Sequence, residues 1–325
     1  MSLKKAAAAI KKNKRFLLTC HTNPEADAIG SELALAGLLK KLGKEALIVN
    51  ESKVPPECLF LPGVDTILPV SNKNKDFDCA VFLDCSDAGR AGKAAKLVTQ
   101  EHATINIDHH ISNKYFAEVN WVSSEASCTC EMVYQLYKCF KEPIGKDSAL
   151  QLYSGLVVDT GSFRFNNTTD ASHIIAADLI KTGLSPARIY NSLYENMPFK
   201  DIKLLGEILS DISRLCDGRI VWAGLSETIV KKKSGVVDLS EVVLTLLRSI
   251  KDVELAMVFK AIEGKKNKVR VNFRSQSNFD CNKLASYFGG GGHKNASGTT
   301  ADGEFNKIKN EITAKAKELM GEKKC

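Results

Sequence analysis

The chain is poor in the features that mark secreted, membrane or fibrous proteins. Its ten cysteines are scattered and include no C-x-x-C pair, which excludes the usual disulfide framework of a small secreted protein and fits a reducing cytoplasm. No apolar run approaches the roughly 18 residues of a membrane span. The apolar centre of Lys4-Lys5-Ala6-Ala7-Ala8-Ala9-Ile10-Lys11-Lys12 is too short for a secretory leader and reads as a surface helix. Neither an internal repeat nor a low-complexity tract is visible. The formal charge of +7 suits an anionic partner but is far below that of a protein that coats nucleic acid. Histidine is scarce too: six in 325 residues, three of them inside the short polar clusters described next.

Those clusters are His21-Thr-Asn-Pro-Glu25-Ala-Asp27, Asp84, Asp108-His109-His110 and Asp159. All are acids or imidazoles, the side chains that hold divalent metals. A chain this long is expected to form two domains. In its first half, short apolar runs alternate with helical patterns, the mark of a mostly parallel sheet with helices on both faces. Arg15–Cys20, Ala46–Val49, Cys79–Leu83 and Thr104–Ile107 read as strands buried on both faces. Leu33, Leu35, Leu38, Leu39 and Leu42 recur at helical spacing between the first two. The polar groups fall just after these strands, His21 after the first, Asp84 after the third and Asp108 after the fourth. Open α/β sheets form their ligand crevice at that rim. Each cluster alone is explained as a helix cap or a turn. Four of them at one sheet edge point to a two-metal phosphoesterase, with Asp84 placed to bridge the ions.

These segments resemble the motifs of the DHH phosphoesterase superfamily, whose tripeptide is Asp108-His109-His110. The first motif is similar to His21-Thr-Asn-Pro-Glu-Ala-Asp27-Ala-Ile-Gly30-Ser31, the second to Phe82-Leu83-Asp84, and the fourth to Val158-Asp159-Thr160-Gly161-Ser162-Phe163-Arg164. Near the C-terminus, Arg274-Ser275 and Gly289-Gly290-Gly291-Gly292-His293-Lys294 resemble the DHH-associated substrate domain. Within the superfamily the layout resembles the NrnA type, short-oligonucleotide exonucleases that also dephosphorylate 3'-phosphoadenosine 5'-phosphate (pAp).

The resemblance implies two manganese ions. One would be held by His21, Glu25 and Asp84, the other by Asp27, Asp84, His109 and Asp159, with His110 at the scissile phosphate and Asp108 orienting an imidazole. It implies short RNA or DNA oligonucleotides, pAp or dinucleotides as substrates, cytoplasmic location, no membrane, and a homodimer as one option for assembly. Members usually carry Asp where this chain has Glu25. The charge is kept but the reach of the carboxylate changes.

The second half reads as a helical segment over Ser185–Leu215, with Ile202, Leu205, Ile208, Leu209 and Ile212 on one stripe, then a smaller α+β domain and a lysine-rich C-terminal helix. The expected organisation is a catalytic domain over residues 1–188, a linker over 189–215 and a substrate domain over 216–325, with the active site in the cleft between the domains. Arg274, with Gly290, Gly291, Gly292 and His293, is expected to bind substrate phosphate, since a guanidinium and a glycine-rich nest both suit an oxyanion. Arg164 and the Asn166-Asn167-Thr168-Thr169 turn are candidates for base or ribose contact, and Phe163 fits a base contact or a core aromatic equally. The alternatives are a cyclic or linear dinucleotide phosphodiesterase, an inorganic pyrophosphatase, and a catalytically silent nucleotide-binding regulator.

Overall fold

The computed structural model describes residues 2–71, 76–234, 237–276 and 278–321, and divides into two compact units, Met1–Asn196 and Met197–Cys325. The first unit runs α1 (Leu3–Lys12), β1 (Arg15–Thr19), α2 (Ala26–Lys41), β2 (Glu45–Asn50), β3 (Ile67–Pro69), β4 (Cys79–Leu83), β5 (Ala103–Asp108), β6 (Val119–Val122), α3 (Thr129–Phe140), α4 (Lys146–Asp159), α5 (Asp170–Ile180) and α6 (Pro186–Tyr194). Its strands lie in the order β3-β2-β1-β4-β5-β6, and every pairing is parallel.

The side chains of β1, β4 and β5 alternate between two cores, as the period of two in a strand requires. Phe16, Leu18, Val81, Leu83, Ile105 and Ile107 join the core under the α-helices. Leu17, Ala80 and Phe82 face the other side, where Phe77 and two short 3-10 turns, Ala88–Ala91 and Ala94–Leu97, cover them. The helices on that face are therefore single turns. Strands β3 and β6 escaped the sequence pattern because they are short and lie at the two edges of the sheet.

Helices α2 and α4 pack tightly together. A Cβ on Gly30 would sit 2.4 Å from the Gln151 carbonyl oxygen, and one on Gly155 would sit 2.4 Å from Cys130 Sγ and 2.9 Å from Asp27 Cα. Only glycine permits that approach. It brings the first turn of α2, which carries Asp27, beside the last turn of α4, which carries Asp159.

The second unit runs α7 (Phe199–Ser210), β7 (Ser213–Leu215), β8 (Ile220–Leu225), α8 (Glu227–Lys232), α9 (Leu239–Arg248), β9 (Leu255–Ala261), β10 (Lys268–Arg274), α10 (Cys281–Tyr287), β11 (Gly291–His293), β12 (Ala296–Asp302) and α11 (Phe305–Met320). Its sheet is mixed, in the order β11-β12-β10-β9-β8-β7, with β8 and β9 parallel and the other neighbours antiparallel. Met257, Phe259, Val271 and Phe273 pack on α10 and α11; Val221, Ala223, Ala256 and Val258 pack on α7 and α9.

The helical connector expected over residues 185–215 is two helices belonging to different units. Ser185 caps α6 with Pro186 in its first turn, and Pro198 precedes α7. A proline has no N–H to donate, so the chain breaks there. Ile189 and Leu193 of α6 are buried in the core of the first unit. Leu204 and Ile208 of α7 are buried in the second. The units divide after Asn196.

Candidate metal centre

Three strands deliver their C-terminal residues to one rim. Because β1 and β5 both pair with β4, His21, Asp84 and the Asp108-His109-His110 segment leave the sheet side by side. Asp84 turns away from its strand at φ 54°, a left-handed conformation that costs a non-glycine residue roughly 1–2 kcal/mol. Its N–H is held by the Ile107 carbonyl at 3.0 Å. The carboxylate then lies between imidazoles: His21 Nε2 is 3.3 Å from Oδ2, and His109 Nε2 is 3.5 Å from Oδ1. The Thr129 hydroxyl also donates to Oδ1, at 3.2 Å.

Around Asp84 the other expected residues divide into those drawn in and those left outside. His109 Nε2 reaches Asp159 Oδ2 at 3.5 Å, and Asp27, His109 and Asp159 form one group able to hold a metal. Asp84, His109 and His110 form another. His110 Nδ1 is 2.7 Å from Asp108 Oδ1, and Asn113 Nδ2 donates to Asp108 Oδ2 at 2.6 Å, so a fully buried carboxylate orients this imidazole. Glu25 joins neither group. It is the exposed N-cap residue of α2 and makes no cap hydrogen bond, although its charge reaches Asp159.

Several of these contacts were invisible in the sequence. Thr129 and Cys130, the first residues of α3, donate their N–H groups to Asp27 Oδ2 and Oδ1 at 2.7 and 2.8 Å, so a helix N-terminus faces the carboxylate. The signal for that helix start is Ser127 four residues before Glu131, whose Oε2 takes the Ser127 N–H and hydroxyl. Asn167, expected near a base, instead donates Nδ2 to the carbonyls of Ser127 and Asp159 at 2.9 and 3.0 Å and lies 3.5 Å from Asp159 Oδ2. Phe163 stacks on His173 with ring centroids 5.0 Å apart and packs against the core. Arg164 is exposed, with Nε donating to the Gly161 carbonyl at 2.7 Å.

In the second unit, Arg274 closes β10 and pairs with Glu241 at 2.9 Å. In the glycine run, Gly291, Gly292 and His293 pair in register with Gly298, Ser297 and Ala296 as an edge strand. A Cβ on Gly290 would meet the Gly298 carbonyl oxygen at 2.3 Å, so close backbone approach explains a glycine there. The side chain of His293 lies outside the described residues.

The centre is electrostatically unbalanced. Burial and then the Asp84 charge push the Asp27 carboxyl above its ordinary value. Burial and the charges of Asp27, Asp84 and Glu25 push Asp159 well above its own. Burial acts on Asp84 in the same direction, but the His21 hydrogen bond and the charges of His110, His21 and His109 outweigh it and hold that carboxyl far down. Three crowded carboxylates among imidazoles form a donor set that fits divalent cations, which would relieve the repulsion.

Glu32 lies deeper in α2, with no solvent exposure, and accepts 2.8 Å from Asn50 Nδ2. Burial lifts its carboxyl to about 8 against the hydrogen bonds from Asn50 and Cys20. A carboxyl raised on folding binds its proton more tightly in the native state. Stability is then highest below the ordinary value of 4.5, falls as pH rises from there, and levels off above about 8. Glu32→Gln is expected to gain stability relative to wild type across that window. Urea unfolding at pH 5, 7 and 9 checks it, and a constant difference between the two proteins would contradict the assignment.

Residues 15–156 match the family model for the DHH family, N-terminal domain, and residues 228–322 match that for the DHHA1 domain. The bifunctional oligoribonuclease and PAP phosphatase NrnA of Thermus thermophilus is 32% identical over 88% of this chain and 84% of its own length. The protein of the same name from Bacillus subtilis is 30% identical over 88% of each chain. Among solved structures, an exopolyphosphatase-related protein from Bacteroides fragilis superposes with a TM-score of 0.88 at 25% identity, covering 98% of this chain and 96% of that one. Among the described residues no helix is long and apolar enough to cross a membrane.

Proposed function

The chain belongs to the DHH family and is a phosphoric ester hydrolase; from that premise we propose that it hydrolyses short oligoribonucleotides to mononucleotides and pAp to AMP, using two manganese ions. The observation that carries this proposal is Asp84, whose two carboxylate oxygens face imidazoles on opposite sides. Asp27, His109 and Asp159 would hold one cation, His21 would hold the other, and Asp84 would be shared. When bound, such a pair supplies the positive charge that acidifies water and stabilises an in-line displacement at phosphorus.

The protein's own groups supply orientation. Burial lowers the His110 pKa, but the Asp108 hydrogen bond and the Asp84 charge outweigh it, leaving the imidazole above its ordinary value. A ring whose cationic form is favoured and which is fixed through Nδ1 is suited to bind a phosphoryl oxygen. Asn167 and the α3 N-terminus keep Asp159 and Asp27 from rotating away. In the second unit, Arg274 and the Gly290–Gly291–Gly292–His293 segment are assigned to the substrate's phosphate. Both curated relatives are named for oligoribonuclease and PAP phosphatase activity, which supports these substrates over cyclic dinucleotides and pyrophosphate.

Purified protein with manganese should be given pAp, 5'-labelled RNA of two to five nucleotides, a cyclic dinucleotide and pyrophosphate. Preference for pAp and the short RNAs is expected. Hydrolysis of pyrophosphate alone, or of nothing, would refute the assignment. Glu25→Asp is expected to leave kcat for pAp within about threefold, under ~0.7 kcal/mol of barrier, because the carboxylate is kept and Glu25 is exposed. A loss far beyond that would place Glu25 on the metal.

A further inference from the structure

We propose that Tyr190 and Tyr194, on the outer face of α6, form the platform on which a base of the substrate stacks beside the metal centre. The inference rests on the phosphoesterase function above and adds a recognition element to it.

The spacing of four puts both rings on one helix face. Their centroids are 4.9 Å apart at 52°, and each residue is 41% exposed. Ile189 and Leu193 are buried in the core, so the helix is anchored without its tyrosines. It packs against α4, whose last residue is Asp159, and against the Pro56–Cys58 turn. The platform is thereby fixed to the element that carries a candidate metal-holding carboxylate.

The surroundings suit a nucleotide. Burial raises the Tyr194 phenol pKa, the Ser162 hydrogen bond pulls it down, the Tyr190 phenol pushes it up, and the Arg164 charge lowers it. Gly161, Ser162 and Phe163 turn the chain through three left-handed residues, φ 56°, 59° and 63°. Among the described residues the Arg164 side chain makes one hydrogen bond, from Nε to the Gly161 carbonyl, and no acceptor takes its terminal nitrogens. The Ser162 hydroxyl oxygen is buried. An aromatic face on α6, the helix packed against α4, thus accompanies a guanidinium and a hydroxyl that follow Asp159 by five and three residues. A base stacks on the first, and a phosphate or ribose oxygen meets the other two. Stacking tolerates any base, as hydrolysis of short oligonucleotides of mixed sequence requires.

The test compares pAp with its abasic counterpart, tetrahydrofuran 3',5'-bisphosphate, in wild type, Tyr190→Ala, Tyr194→Ala and the double variant, with manganese present. Wild type is expected to favour pAp in KM, and the double variant to lose about five- to hundredfold of that preference, the range that base stacking supplies. Tyr194→Phe should recover most of what Tyr194→Ala loses. Thermal melts confirm folding, and the leucine double variant substitutes if the alanine one fails to fold. An unchanged preference, or an equal rise in KM for both substrates, overturns the platform, as does a change in sedimentation showing that α6 docks a second copy of this chain. A wild type active on pAp with no loss in the variants refutes only the platform; a wild type inactive on every nucleotide refutes the phosphoesterase function as well.

Discussion

Asp84→Asn is expected to lower kcat for pAp by about a thousandfold or more, at least ~4 kcal/mol of transition-state stabilisation. The substitution keeps the shape of the side chain and removes its charge. Backbone geometry is not the reason for the loss, because asparagine tolerates the left-handed conformation found at this position, φ 54°. The Thr129 hydroxyl can still donate to the remaining carbonyl oxygen. What disappears is an anion whose two oxygens face His21 and His109 at 3.3 and 3.5 Å; an amide offers one oxygen where a carboxylate shared by two cations would offer two. Thermal melting without metal shows whether the variant folds, and steady-state kinetics with manganese gives the effect. A variant retaining more than about a tenth of wild-type kcat, a change under ~1.4 kcal/mol, would mean that Asp84 is not the bridge.

Asp159→Asn is expected to act in opposite directions with and without metal. In the metal-free protein, burial and the neighbouring Asp27 and Asp84 charges raise the Asp159 pKa. Native Asp159 therefore holds its proton above the pH at which the unfolded chain releases it. That contribution to stability is complete below the ordinary carboxylate range, near 3.8, and is lost as pH rises through the raised value. Asp27 behaves in the same way. Removing one charge should raise the melting temperature of the metal-free protein at neutral pH and flatten its decline with pH. The reverse holds once metal is added. A ligand at a hundred times its Kd stabilises the native state by ~2.7 kcal/mol; at about 2–4 °C per kcal/mol for a unit of this size, wild type should gain roughly 5–10 °C. The variant should gain little. Differential scanning fluorimetry with EDTA and with manganese at several pH values measures both signs, and a variant less stable than wild type under EDTA would contradict the crowding of charges.

The parallel half of the fold was legible because buried parallel strands are unbroken apolar runs: Arg15–Thr19, Cys79–Leu83 and Ala103–Asp108 stand out from their flanks. The residues just beyond them carried the site, which is why His21, Asp84 and His109 were recognised as candidates. Strand β12, Ala-Ser-Gly-Thr-Thr-Ala-Asp, was not legible. Its small and polar residues give no apolar alternation, and Gly298 is there to pass close to Arg270 and the Val271 carbonyl. The contacts of Asp27 with the α3 N-terminus and of Asp159 with Asn167 were hidden for another reason. They use backbone N–H groups and carbonyls, which every residue has, and the first joins positions about a hundred residues apart. The break at Pro198 was missed in reading residues 185–215 as one helical segment, because the stripes of α6 and α7 look alike until their cores are known.

Manganese titration followed by electron paramagnetic resonance tests the shared carboxylate most directly. Wild-type protein is expected to take up a pair of ions whose spectra show exchange coupling, and Asp84→Asn to lose that coupling. Uncoupled ions in wild type, or none bound, would contradict a centre built on Asp84.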